Sequence, residues 1–374
     1  MGQLLCFDEQ TFLFRVNRII NINYIRINHT FFIHLTFKNY NNTMKKLFYV
    51  LLLQVVFVTV STAQVDPHSS QYYADALALN PALTGIMDGP ARITVGYRTQ
   101  WANIAPFNTA LVSFDAVTNK NINYGVRISN LSAGNNIYNI LNISGSLSYT
   151  GLKWGSEGFN QVSFGVQFGA INRKFNQANF QYGSQYSPVD GFDPSKQGEV
   201  LTNPQTTQFD LNFGAVYFDA NPNHRVNLFI GGAANHLTQP KDQFMNNLNN
   251  GKLPIRYVAH GGVKIKLNDR LSFVPNLLYM YQNGAEEKMG GGYFQIKVNA
   301  LTDLLLGGNA RWDDAATAYA GFQMNNFILG ASADFTTSTL TRGVRNSNTF
   351  EITGTYLFKK KTTTPSINFI CPRL

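Results

Sequence analysis

The chain has 374 residues, with 30 Lys and Arg against 21 Asp and Glu, for a formal net charge of +9. Charged residues make up only 14%, against roughly 25% in soluble domains, and the basic residues form no compact stripe, which argues against a nucleic-acid partner. Cys6 and Cys371 are the only cysteines, so no disulfide framework carries the fold.

Residues 1–43 are rich in Asn, Ile and Phe and lack helical or strand periodicity. They read as upstream sequence translated from a wrongly placed start codon, with Met44 as the initiator. The alternative is an unusual N-terminal extension. Met44-Lys45-Lys46, an apolar run over residues 47–60 and the small exit Ser61-Thr62-Ala63 form a cleavable secretory signal, 44–63, too short to span a bilayer. Gln64, not Cys, follows, which argues against a lipid-modified N-terminus. Residues 1–63 hold six Lys/Arg and two Asp/Glu, leaving 24 basic and 19 acidic residues in 64–374, net +5.

The next stretch, 64–90, reads as a periplasmic N-terminal segment or a plug. Its Asn80-Pro81-Ala82 either blocks a lumen or meets a periplasmic protein, and Asn-Pro is also a plain turn start. From residue 91 onward the pattern has period 2. Phe209, Leu211, Phe213, Ala215 and Tyr217 share one face, with Asp210 and Asn212 on the other. Val162, Phe164, Val166 and Phe168 likewise alternate with Gln161, Ser163 and Gln167.

Fourteen strands follow: 91–101, 108–118, 121–131, 139–150, 160–172, 207–219, 224–236, 255–267, 270–282, 286–297, 302–312, 315–324, 326–336 and 348–358. At roughly 3.4 Å per residue and a tilt near 45°, ten or eleven residues cross about 25 Å, the apolar height of an outer membrane. Soluble strands are about half as long. The longest connections, 173–206, 237–254 and 337–347, fall on one side, and the links at 119–120, 220–223 and 268–269 on the other, as in bacterial barrels. The stretch 151–159 is a long turn on the short side. An unpaired strand edge in hydrocarbon costs several kcal/mol per group, so the sheet must close. The fold class is an all-β transmembrane antiparallel barrel, 91–358, contacting outer-membrane lipids, with both termini periplasmic. Tyr97, Trp101, Trp312, Tyr356 and Phe358 are candidates for interfacial girdles. The tail 359–374 is polar over Lys359 to Pro365, then carries Ile367, Phe369 and Ile370. It either docks a periplasmic partner or stays disordered or folded inward.

No catalytic constellation is present: no nucleophile elbow, zinc-protease motif, phosphate loop or paired-cysteine site. His68, His224, His236 and His260 fall on separate elements and read as polar turn or lumen residues. Glu286-Glu287 beside Lys288 reads as lumen lining. Asp190, Asp193 and Glu199 match no calcium-loop spacing. The reading is a non-enzyme without cofactor or metal.

Several short motifs occur in order: Asp66-Pro67-His68 with Gln71, Asn80-Pro81-Ala82, Tyr97-Arg98-Thr99-Gln100-Trp101, Pro254-Ile255-Arg256-Tyr257, Asn309-Ala310-Arg311-Trp312, Ala333-Asp334-Phe335, Phe350-Glu351-Ile352 and the terminal Cys371-Pro372-Arg373. This order resembles the PorP/SprF family of type IX secretion system outer-membrane proteins of Bacteroidetes, and the likeness spans 64–374. Leu374 departs from the aromatic final residue usual in that family. The resemblance implies a helper of the secretion and gliding apparatus that supports delivery or surface anchoring of an adhesin. Its partners would be that client and periplasmic components of the machine. Asp66, Pro67, His68, Gln71, Asn80, Pro81, Cys371, Pro372 and Arg373 are the candidate partner-binding positions. A fourteen-strand barrel with an N-terminal Asn-Pro-Ala is also similar to FadL-type channels, so transport of a hydrophobic ligand or solute is the alternative.

Overall fold

Fourteen antiparallel strands close into a barrel in the computed structural model. They are β1 (Ala91–Gln100), β2 (Phe107–Ala116), β3 (Ile122–Ala133), β4 (Tyr138–Trp154), β5 (Asn160–Phe175), β6 (Gln205–Asp219), β7 (Val226–Asn235), β8 (Arg256–Lys266), β9 (Leu271–Gln282), β10 (Ala285–Lys297), β11 (Thr302–Arg311), β12 (Ala315–Met324), β13 (Phe327–Thr336) and β14 (Thr349–Phe358). The structure describes residues 21–27 and 30–36 as backbone, and 66–359 apart from 103–104, 119, 178–179, 188–190, 197, 199–202, 242–243, 245–250 and 339–348. The expectations for the signal 44–63, the tail beyond Lys359 and Cys371, Pro372 and Arg373 lie outside the described residues. Within residues 1–43, Asn21–Ile27 pairs antiparallel with Thr30–Thr36, and the Ile, Phe, Tyr and Thr residues there have high strand propensity.

Each strand pairs with its sequence neighbour, and β14 returns to β1 from Thr349↔Gln100 to Phe358↔Ala91. No sheet edge is therefore left open, as hydrocarbon surroundings require. The burial pattern is inverted relative to a soluble protein. Phe164, Val166, Phe168, Phe209, Phe213, Leu277 and Ile352 are exposed on the outer face, while Ser163, Gln167, Asp210, Asn212, Asn276 and Glu351 are buried inside. The apolar side of each alternating strand faces outward. Among the described residues no helix is long and apolar enough to cross a membrane.

The long connections 176–204, 236–255 and 337–348 share one mouth, and the turns 267–270, 298–301 and 325–326 share the other. The two longer loops touch, with Asn203 N donating to Phe244 O (3.2 Å) and Phe244 packing edge-on against Phe175 at 4.8 Å.

Three details correct the sequence reading. β4 continues to Trp154, so the turn is 155–159 and not 151–159. A bulge between Tyr149 and Leu152 puts both side chains outside, which breaks the period-2 signal just where the strand was expected to stop. Glu287 is buried and inward-facing, but Glu286 faces out and pairs with Lys288, because neighbouring strand residues point to opposite faces. Finally, the start and end of the described barrel chain, Asp66 and Phe358, lie at opposite mouths. β1 starts and β14 ends at the short-turn mouth, but residues 66–88 run through the lumen to it from the long-loop mouth. Asp66 accordingly bonds to His236 and Gln282 at the long-loop end, so Asp66 and Phe358 do not share the single side expected of the two termini.

Trp101 and Trp312 flank the long-loop mouth. At the other mouth Tyr356 packs against Phe327 and Phe358, and Trp154 stacks on Tyr217.

Candidate functional site

A stretch that bonds to strands on every side must lie inside the barrel, and residues 66–88 do so. They contain a one-turn helix, Ala76–Leu79, followed by a 3-10 turn, Pro81–Leu83. Asp75, Ala76, Leu77, Leu79, Asn80, Ala82, Leu83 and Thr84 are all buried.

At the long-loop mouth the segment is held by charge. Asp66 Oδ2 accepts from His236 Nε2 (2.8 Å) and Gln282 Nε2 (3.1 Å), and lies 3.5 Å from Arg256. His236 Nδ1 meets Asp210 at 3.0 Å. Burial alone would raise the Asp66 carboxyl, but His236 and Arg256 outweigh it and hold the group well below the usual carboxylate range. Burial alone would lower the His236 imidazole; Asp66 and Asp210 prevail and raise it to about 9. His236 is therefore an imidazolium donating to both carboxylates. His68 Nδ1 lies 3.7 Å from the buried Glu287.

One step along the chain, Ser69, Ser70 and Gln71 meet a buried ionic cluster. Arg98 on β1 contacts Glu351 on β14 (2.9 Å) and Asp334 on β13 (3.1 Å), and Arg311 on β11 contacts Asp334 at 3.0 Å. Arg311 also pairs with Asp314, so two guanidiniums contact three carboxylates and neither is left uncompensated. Ser70 Oγ bonds to Asp334 (2.6 Å), its N–H donates to Glu351 (2.8 Å), and Ser69 Oγ also donates to Glu351. The Gln71 amide donates to Ser332 Oγ (3.2 Å) and Glu351 O (3.1 Å) and accepts from Thr353 Oγ1 (2.7 Å). The cluster spans the seam where the last strand joins the first, so the chain's own segment helps to staple the closure.

Mid-barrel, Asp75 takes a forked contact from Arg127 of β3 (2.7 Å). Asn80 Nδ2 donates to the carbonyls of Ala215 (3.0 Å) and Gly232 (3.1 Å), which fixes the amide orientation and uses both of its hydrogens, and His260 Nε2 lies 3.0 Å from the same nitrogen. Asn80 Oδ1 caps the following turn through Ala82 N (2.9 Å). Asn80 and Pro81 lie over Gly165 and Gly214, which are cross-strand partners on β5 and β6. A methyl group on Gly165 would overlap the Pro81 carbonyl, and one on Gly214 would overlap the Asn80 amide. Close backbone approach is what selects glycine there. Lower down, Ser163 and Ser148 donate to the carbonyls of Ala82 (2.7 Å) and Thr84 (2.6 Å), and Asp115 accepts from Gly85 N (2.8 Å) while clamping Arg92.

Asp66, His68, Gln71, Asn80 and Pro81 thus belong to one lumenal segment, and Pro67 lines a crevice beside it. Sequence reasoning had not picked out Arg98, Arg311, Asp334 and Glu351 as site residues. Their signal was present: each is a charged residue on the inward parity of its strand. Next to the segment, Ile86, Met87, Tyr293, Leu305, Tyr319 and Leu357 line an apolar crevice.

A closed antiparallel barrel with an apolar exterior and its own N-terminal segment bonded along the lumen defines a membrane β-barrel protein. The chain belongs to the PorP/SprF family of type IX secretion system membrane proteins, whose family model matches residues 61–356. No curated protein sequence matches it. Among solved structures, it is similar to the Pseudomonas putida toluene transporter TodX (12% identity, 78% of this chain and 96% of that one, TM-score 0.45). It is also similar to the Ralstonia pickettii toluene transporter TbuX (12%, 76% and 94%, 0.44) and to a Pseudomonas aeruginosa FadL homologue (14%, 77% and 95%, 0.39).

Proposed function

We propose that the protein is exported by its 44–63 signal and sits in the outer membrane, long loops outside and short turns in the periplasm. There it works as a non-enzymatic component of the type IX secretion and gliding system that supports secretion or surface anchoring of a partner adhesin. Family membership carries the secretion-system part of this reading. The observation that carries the mode of action is the lumen filled by residues 66–88: hydrogen bonds and ion pairs tie it to the wall from Asp66 to Gly85. A barrel so occupied acts through its exposed loops and termini, so recognition of other proteins is the mechanism it favours. Affinity capture of the tagged full chain from its own cells tests this. Co-purification of one large adhesin and of periplasmic secretion components is expected, and recovery of neither refutes the reading.

A second reading, a channel for hydrophobic ligands or solutes, draws on the apolar crevice beside the segment. Lipid copurifying in the lumen, or a wide conductance in planar bilayers, would favour it.

A further inference from the structure

The short-turn mouth holds a recess of about 780 Å3 in which positive charge is in excess. Arg225, Lys264, Lys266, Arg270, Lys297 and Lys359 line it, against Asp88, Asp269 and Asp303. The lumen above is different, since its arginines are matched by Asp334 and Glu351. Two of the mouth cations bond to neutral groups: Arg225 Nε donates to Lys266 O (3.0 Å) and Lys359 Nζ to Asn325 O (3.2 Å). These contacts orient the cations and leave their charge to the recess.

We propose that this mouth is a docking site for an extended acidic polypeptide segment of a periplasmic protein. The proposal rests on the reading that the short turns face the periplasm. Three observations select the occupant. The cations come from the turn before β7, from β8, from the turn after it, and from the ends of β10 and β14, so they form an arc along the rim. A compact anion such as phosphate is held by donors converging on one point, and an arc instead matches carboxylates strung along a chain. Lys264 and Lys266 share the inward parity of His260, placing their charge inside the ring of strands and away from the lipid headgroups outside it. The turns 267–270, 298–301 and 325–326 are short, so among the described residues they leave the recess open to an extended chain.

Fluorescence anisotropy tests the site, using a labelled oligoglutamate of about fifteen residues and the detergent-solubilised full chain. Charge attraction in an open recess is screened by salt, so saturable binding that weakens as salt rises is expected. The triple variant Arg225→Glu, Arg270→Glu, Lys297→Glu should bind at least about tenfold more weakly while keeping the heat-modifiable gel mobility of a folded barrel. Equal binding by both proteins, or no binding by the wild type, overturns the proposal. So does capture of phosphatidylglycerol micelles, abolished in the variant, with oligoglutamate ignored; that result would give the mouth to lipid. Orientation is read separately: Asn268→Cys in a Cys371→Ser background, labelled on intact cells by an impermeant maleimide, would refute the periplasmic placement and leave the peptide result standing.

Discussion

Arg98 is the residue on which the closure seam most depends. It is 5% exposed and contacts Asp334, Glu351 and Ser70 together. Removing one partner of a buried ionic cluster leaves uncompensated charge and typically costs about 3–5 kcal/mol. Arg98→Ala should lower barrel stability by about that amount, read from urea unfolding in detergent; a change below about 1 kcal/mol would show that the cluster is solvated and weak. At Gly165 the constraint is steric. Gly165→Val should destabilise by about 1–3 kcal/mol through overpacking against Pro81 and should make residues 66–88 more sensitive to protease. The Asp66–His236 contact sets a pH window. The raised His236 value means that its stabilisation is complete below the ordinary 6.5 and is lost as pH rises through about 9. Asp66, shifted down, contributes above 3.8 and loses its contribution as pH falls through its lower folded value. Proteolysis near residue 66 should therefore increase between pH 8 and 10 in the wild type. His236→Gln should show the increase already at pH 7.5, and a flat wild-type profile would exclude the contact as a holding point.

At the scale of the element, the strands are set by parity. Leu277 is 64% exposed in the middle of β9, and its neighbour Asn276 is buried, accepting from Tyr72 Oη at 2.8 Å. Leu277→Arg should cost about 2–4 kcal/mol in a bilayer, measured as reduced folded yield in lipid vesicles; a neutral result would contradict the outward apolar belt. This alternation is why the strands were legible before the structure was known: Phe164, Val166 and Phe168 against Ser163 and Gln167 announce a two-faced strand. Which face is inside is not local information, since a soluble sandwich would show the same pattern inverted, and strand length supplied the distinction. The β4 bulge escaped because one extra residue shifts parity without changing composition. The lumenal cluster escaped because Arg98, Arg311, Asp334 and Glu351 come from separate strands and meet only on closure. Asn80-Pro81 was visible as a motif, but its glycine bed lies 85 and 134 residues further along, at Gly165 and Gly214. A segment before β1 was readable; whether it fills the lumen or meets a periplasmic protein, and that it starts at the long-loop mouth, was not.

For the whole molecule, the balance between a closed barrel and its internal segment decides between the two functional readings. A lumen held from Asp66 to Gly85 predicts little steady conductance in planar bilayers, and a chain lacking 66–88 should conduct if it still folds. A wild-type pore already wide would move the account toward transport. The secretion reading is tested most directly by deleting the gene and comparing the cell-surface proteome with that of the complemented strain. Selective loss of one large adhesin, restored by the wild-type chain, is the predicted result. An unchanged surface accompanied by altered solute uptake would contradict it.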